Sequence, residues 1–453
     1  MNTEHYINKF QSFRAQTLYD QLDRDERDFI RTIAFEHRFT FQEFRQVVEA
    51  SRDLSIWRER PLSAWWQANS AGKSSSRGPL KKRLLADLHQ FLEQQRQSAK
   101  IYPANGLPGP EKREKKPVIS EKSNKKIHGM CPVASEETVC CNLRTIDAVE
   151  NCAFGCSYCT IQTFYSDKFV FDADFASKLE AIPIAPDRFY HFGTGQSSDS
   201  LVWGNKNGNL EALCQFAADH PNVLLEFKTK SNNIAYFLEH DLPENIVCSW
   251  SLNTPTIICN EEHFTASLEQ RLAAARTLVD RGVKVAFHFH PMIYYNAWQV
   301  DYPKVAATLT DSFESDDVLF VSFGAITLIK PAIKKIRRIG QASKILQMEM
   351  VPDPHGKLTY PDETKIAMFR TLHDAFRPWQ DKVFFYLCME KASIWQRTFG
   401  FVYDNNEEFE RAFLQSSMQK IRKSKPGKFC KKVFHSFAVV KSRVLYGALP
   451  RWE

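Results

Sequence analysis

The sequence has no apolar run near the roughly 18 residues that a membrane-crossing helix needs, and residues 1–10 lack the apolar core of a secretory signal. A membrane-embedded or secreted protein is therefore not expected, no membrane partner is expected, and the expected location is the cytoplasm. No GxGxxG or Walker-type loop follows any strand-like run, which argues against a nucleotide-phosphate fold. No internal repeat is visible. Charge of one sign is scarce as well: 60 Lys+Arg against 53 Asp+Glu leave +7 over 453 residues. That balance permits a nucleic-acid partner without requiring one. The 11 cysteines are odd in number and clustered, and without an export signal this reads as metal binding or reduced thiols, not a disulfide framework.

What is present is the balance of a globular enzyme, 43% hydrophobic and 25% charged, in a chain long enough for about two to four domains. Residues 1–100 read as a helical accessory region, with apolar residues at helical spacing over 25–38, 40–50 and 80–92 and Thr40 placed as a cap. Residues 101–137 are rich in Pro and Lys and read as a flexible linker. Over 138–400 short apolar runs at 145–149, 190–192, 223–227, 246–250, 283–289 and 318–323 alternate with helical patterns at 174–181, 210–218, 265–281 and 302–309. Leu268, Leu272, Ala275 and Val279 share a helix face, with Gly282 as its stop. This alternation predicts an α/β protein with a parallel sheet, barrel or doubly wound. Residues 401–453 form a helical, basic extension. Its stretch 420–443 interleaves Lys and Arg with Phe429, Phe434 and Phe437, as a nucleic-acid contact or as a tail folded back on the core.

The stretch with most chemistry is 151–159, NCAFGCSYC. Cys152, Cys156 and Cys159 share one tight loop after a strand-like run, and such a loop can present one thiolate to each of three irons of a [4Fe-4S] cubane. The fourth iron then lacks a protein ligand, and an open position lets a metal site bind a reactant. S-adenosyl-L-methionine fits that position through its amino and carboxylate groups, and one electron splits its sulfonium bond to give a 5′-deoxyadenosyl radical. The competing reading is a structural zinc site in which Cys156 and Cys159 are completed by Cys140–Cys141 or Cys131.

CxxxCxxC with Tyr158 before its last cysteine resembles the radical S-adenosylmethionine superfamily, which implies a partial (β/α)6 barrel. Within it the chain looks like the spore photoproduct lyase family of DNA repair enzymes. The similar segments are 152–165, FGTGQSSD at 192–199, Thr229-Lys230-Ser231, Trp250-Ser251-Leu252-Asn253, 271–298 and YPDETK at 360–365. The resemblance implies that Cys152, Cys156 and Cys159 ligate the cluster and that Tyr158 lies against adenine. It implies that Gly193, Thr194, Gly195 and Gln196 form the turn near the methionine amino group, and that Ser198, Lys230, Ser251 and Asn253 serve the cofactor from strand ends.

Two positions depart from the family. Its hydrogen-donating cysteine falls at Gln196, and its tyrosine after the third cluster cysteine falls at Thr160. Neither side chain has a readily donated hydrogen atom. Cys388 can substitute only at the barrel mouth; Tyr294 and Tyr295 are other candidates, with packing the simpler role for both. His288 and His290 alternate on one strand and face one side, either toward substrate or as hydrogen-bonded core histidines. The resemblance implies a lyase-type repair of a thymine lesion in DNA, with electrons from a reducing protein such as flavodoxin or ferredoxin. Two alternatives stand beside it: a radical enzyme acting on another nucleic-acid or protein substrate, and a non-catalytic zinc-stapled nucleic-acid-binding protein.

Overall fold

The computed structural model describes residues 3–71, 77–110, 116–131, 137–164 and 167–423. The six apolar runs supply β2 to β7 of one eight-stranded sheet: β1 His128–Met130, β2 Arg144–Ile146, β3 Tyr190–Thr194, β4 Val223–Thr229, β5 Ile246–Ser251, β6 Lys284–Met292, β7 Val318–Ala325 and β8 Phe384–Leu387. Their spatial order is their chain order, and every neighbouring pair is parallel except β1 with β2. Sequential parallel strands with intervening helices must wind in one direction, so the sheet curls into a partial barrel. Strands β2 to β8 are largely buried on both faces because helices cover the outside and side chains fill the inside, which explains their mostly apolar texture. The run at 145–149 breaks in two, since Val149–Glu150 leaves the barrel to pair with Phe169–Asp172.

Local signals set the helix ends. Leu268–Asp280 starts at a capping box between Ser267 and Gln270 and stops before Gly282, whose φ is +82°. Thr40 and Glu43 form a second capping box, although the helix it opens continues to Trp57 instead of ending near residue 50. The N-terminal helices dock on the barrel through charge. Arg337 donates to both carboxylate oxygens of Asp53 at 2.7 Å, and Arg52 donates to the Arg337 carbonyl at 2.7 Å.

One reading needs correction. The stretch 101–137 is not a flexible linker throughout, because Val118–Glu121 pairs in parallel with Phe169–Asp172 and His128–Met130 forms β1. Both are short edge strands with largely exposed side chains, held by backbone hydrogen bonds that polar composition does not reveal. Lys420, at the start of the basic stretch, donates to the Ser315 and Val318 carbonyls at 2.6 and 2.7 Å, and so anchors the helix Asn406–Lys423 to the barrel. The rest of that stretch, including Phe429, Phe434 and Phe437, lies outside the described residues.

Candidate functional site

The loop carrying Cys152, Cys156 and Cys159 lies across the end of the barrel at which the parallel strands terminate. Two adjacent buried glutamates hold it. The backbone of Gly155–Cys156 pairs antiparallel with Glu262–His263, and the Ser157 N–H donates to the Glu261 carbonyl at 2.9 Å. The Glu261 carboxylate accepts from Ser157, from Ser343 at 2.7 Å, from Tyr102 at 2.8 Å and from the Lys344 N–H at 2.9 Å. Glu262 accepts from the Tyr158 hydroxyl and, at 2.6 Å, from Arg271. Burial pushes Glu262 up, but Arg271 and then Lys230 outweigh it and hold the carboxyl below its usual range. Burial, reinforced by Glu262, pushes the Tyr158 phenol well up, so Tyr158 stays neutral.

The three cysteines share a cavity of about 140 Å³ with Tyr158, Gly195, Gln196, Ser198, Asp199, Lys228, Lys230 and Ser251. Strand-end positions scattered over a hundred residues of sequence thus meet at one point. The Lys230 ammonium stands 5.9 Å from the Tyr158 ring centre. Asp199 fastens the Lys230 turn by accepting from the Lys230 N–H at 2.7 Å and the Thr229 hydroxyl at 2.8 Å. Burial raises the Cys152 thiol to about 12 and raises Cys156 well above its ordinary value, so both are neutral in the metal-free chain and iron must displace their protons.

The residues fit the implied cluster and its sulfonium ligand on three observations. The first is the donor set itself: three thiols on one loop, with no carboxylate or imidazole beside them on it. The second is the Ser198 hydroxyl, which is buried beside this cavity with no hydrogen-bond partner among the described residues. The third is Gly195, with φ +87°, where an added Cβ would stand 2.7 Å from the Ser200 hydroxyl and 2.8 Å from the Lys228 carbonyl. Gly195→Ala should therefore cost about 1–3 kcal/mol through backbone strain alone, read as a lowered urea midpoint. An unchanged midpoint would show that this turn relaxes freely.

Not every expected residue reaches the cavity. Gly193 lies within β3, where an added Cβ would be 3.1 Å from Leu143, and the Thr194 hydroxyl is engaged by Ser200 at 2.7 Å and the Glu226 carbonyl at 3.2 Å. Asn253 is fully buried, donating to the Pro291 carbonyl at 2.9 Å and accepting from Tyr302 at 2.7 Å. Tyr295 donates to Asp301 at 2.6 Å, and Tyr294 packs edge-on against Tyr360; both belong to this packing and line neither cavity at the cysteine loop. The Thr160 hydroxyl donates to the Thr327 carbonyl at 3.1 Å.

His288 and His290 do face one side, into the barrel, where both contact the Ser322 hydroxyl at 2.5 and 3.0 Å. His288 also donates to Glu226 at 2.5 Å, as His191 does at 2.9 Å. Burial lowers His288 to about 4, so it is a neutral core histidine with both nitrogens bonded. Among the described residues no group of three or more His, Cys, Asp or Glu side chains is placed to hold a single metal ion, which leaves the zinc reading without a site there.

Curled parallel strands thus form a partial barrel with a three-cysteine loop across one end. Residues 144–353 match the family model described as spore photoproduct lyase. The chain is 26% identical over 196 residues to the spore photoproduct lyase of Clostridium acetobutylicum, covering 42% of this chain and 58% of the relative. It is 24% identical over 201 residues to that of a Geobacillus species, covering 43% and 59%. The match thus spans under two-thirds of either relative's length. Among solved structures, a spore photoproduct lyase variant with bound AdoMet and dinucleoside spore photoproduct superposes with TM-score 0.51 at 19% identity, covering 60% of this chain and 82% of that one. A lyase complexed with dinucleoside spore photoproduct gives 0.51 at 18% identity, covering 68% and 95%. Over residues 144–353 the chain is thus similar to the spore photoproduct lyase family, and it shares the fold of these solved lyase structures.

Proposed function

We propose that this chain is an iron–sulfur enzyme that cleaves S-adenosyl-L-methionine reductively and directs the radical at a thymine photolesion in DNA. The observation that carries this reading is the shared cavity of Cys152, Cys156 and Cys159 with Gly195, Gln196, Ser198, Lys230 and Ser251. A [4Fe-4S] cluster held by the three thiolates would supply one electron to the sulfonium and so a carbon radical able to abstract hydrogen. The protein's part is positioning. Gly195 admits the cofactor close to the backbone, Ser198 offers an unspent hydroxyl, and Glu262 fixes the Tyr158 ring beside the cysteines. Lys230 brings a positive charge to the same cavity, near the Tyr158 ring, that would suit a carboxylate. The lesion has to leave the base stack to reach such a site. Electrons would come from a low-potential flavodoxin or ferredoxin in the cytoplasm.

A second reading, a radical enzyme for a different substrate, is favoured by Gln196 and Thr160, which supply no hydrogen atom where the relatives' donors fall. One assay separates the two. Anaerobically reconstituted protein given reductant, S-adenosyl-L-methionine and dinucleoside spore photoproduct should release both deoxyadenosine and repaired thymine. Deoxyadenosine without thymine would reject repair and retain the radical chemistry; neither product would reject both.

A further inference from the structure

Cys131, Cys140, Cys141 and Cys388 stand apart from the loop just described, and the fold gathers them at the seam where the two ends of the sheet approach each other. An isolated bridge joins Val139 to Glu390, with the Val139 N–H donating to the Glu390 carbonyl at 3.1 Å. That bridge brings Cys140 and Cys141 to the end of β8. Cys388 is the next residue after β8, its N–H donating to the Phe323 carbonyl at 2.8 Å. Cys131 follows β1, and its N–H donates to the Leu143 carbonyl at 2.9 Å, two residues from Cys141.

The four side chains also act on one another electrostatically, Cys141 with Cys140, Cys388 and Cys131, and Cys388 with Cys131 and Cys140. Cys140 and Cys141 are buried, while Cys131 and Cys388 are half-buried. A single buried cysteine is an ordinary small hydrophobe, as Cys214 and Cys248 are here. Four thiols converging from three separate chain segments form a soft ligand set instead.

We propose that Cys131, Cys140, Cys141 and Cys388 hold a second iron–sulfur cluster, separate from the one assigned to Cys152, Cys156 and Cys159. Neither set of cysteines is placed to hold a single metal ion. A lone zinc draws all its sulfurs to about 2.3 Å from one centre, whereas a cluster seats thiolates on different irons and takes a wider set. Four protein ligands leave no iron open, so this cluster takes up and passes on single electrons and does not bind S-adenosyl-L-methionine. Lys228 is in electrostatic contact with Cys388 and also lines the cavity at the first cysteine loop, so the two sites adjoin a common residue. The electron enters from a low-potential donor protein and leaves toward the first cluster.

The test is iron and acid-labile sulfide after anaerobic reconstitution. The Cys152→Ala/Cys156→Ala/Cys159→Ala chain should keep about half the iron of the unmodified chain together with a reducible visible chromophore. Adding Cys140→Ser and Cys388→Ser should remove both. A colourless triple variant, or zinc in place of iron and sulfide, overturns the proposal. Should the triple variant fail to fold, the unmodified chain decides: more than four irons per chain supports the second cluster, and four or fewer overturns it. Deoxyadenosine release by the unmodified chain is measured separately, so a failure here is distinguishable from a failure of the radical reading.

Discussion

Cys156→Ala, reconstituted anaerobically and supplied with a chemical reductant, is expected to release no deoxyadenosine from S-adenosyl-L-methionine above background, while its unfolding free energy changes by no more than about 1 kcal/mol. The two halves of that expectation have different causes. The loop's attachment to the barrel runs through backbone: Cys156 pairs with Glu262, and the Cys159 N–H donates to the Cys156 carbonyl at 3.1 Å. Alanine keeps every one of those groups. It removes only the sulfur, and a cluster gripped at two corners by Cys152 and Cys159 cannot hold the arrangement that exposes one iron. Cys259→Ala is the matching control, because Cys259 is exposed and does not line the cavity of the cysteine loop. Full turnover in Cys156→Ala would mean that the cysteine loop does not carry the chemistry. Equal losses in both variants would point to handling damage and not to a ligand.

The sequence made part of this site legible and hid the rest for identifiable reasons. The cysteine loop is local, so spacing alone displays it. The stripe of Leu268, Leu272, Ala275 and Val279 is local too, and the helix lies where that spacing puts it. Gly195, Gln196, Ser198, Lys230 and Ser251 could be proposed only through the family resemblance, and all five line the same cavity as the cysteines. Gly193, Thr194 and Asn253 came from the same motifs but do not line that cavity, because Gly193 lies within β3 against Leu143 while Thr194 and Asn253 spend their polar groups on Ser200, Pro291 and Tyr302. The clamps Glu261 and Glu262 lie about a hundred residues beyond the loop they secure, and no periodicity encodes that pairing. Two signals were nevertheless available. Glu226 interrupts the apolar run 223–227, and Arg271 falls three residues after Leu268, inside the stripe that the helix buries. A charge at a position the pattern reserves for the core requires a partner there.

Arg271 has that partner, and its replacement is expected to destabilise the fold strongly. The guanidinium is fully buried and donates to the Glu262 carboxylate at 2.6 Å, to the Ser251 carbonyl at 2.7 Å, to the Thr265 hydroxyl at 2.7 Å and to the Ala266 carbonyl at 2.9 Å. Arg271→Met fills similar volume but leaves Glu262 as a buried carboxylate without its cation, at a cost of about 3–5 kcal/mol near neutral pH. Arg271→Met/Glu262→Gln removes the stranded charge and should recover more than half of that loss; additive losses would show that the two residues are not coupled. The pH dependence gives an independent check. In the unmodified chain Arg271 holds Glu262 below its ordinary 4.5, so the pair stabilises the fold above that pH and the contribution fades as acid protonates the folded state. Without Arg271, burial is the leading influence and the Glu262 carboxyl rises, so Arg271→Met should close part of its gap to the unmodified chain as pH falls from neutral toward 4.5. A gap of constant size across that range would assign the loss to Arg271's other hydrogen bonds. Because Glu262 also accepts from Tyr158 and pairs with Cys156, the same substitution loosens the floor of the cysteine loop, and deoxyadenosine release should fall with stability in Arg271→Met yet return only partly in the double variant.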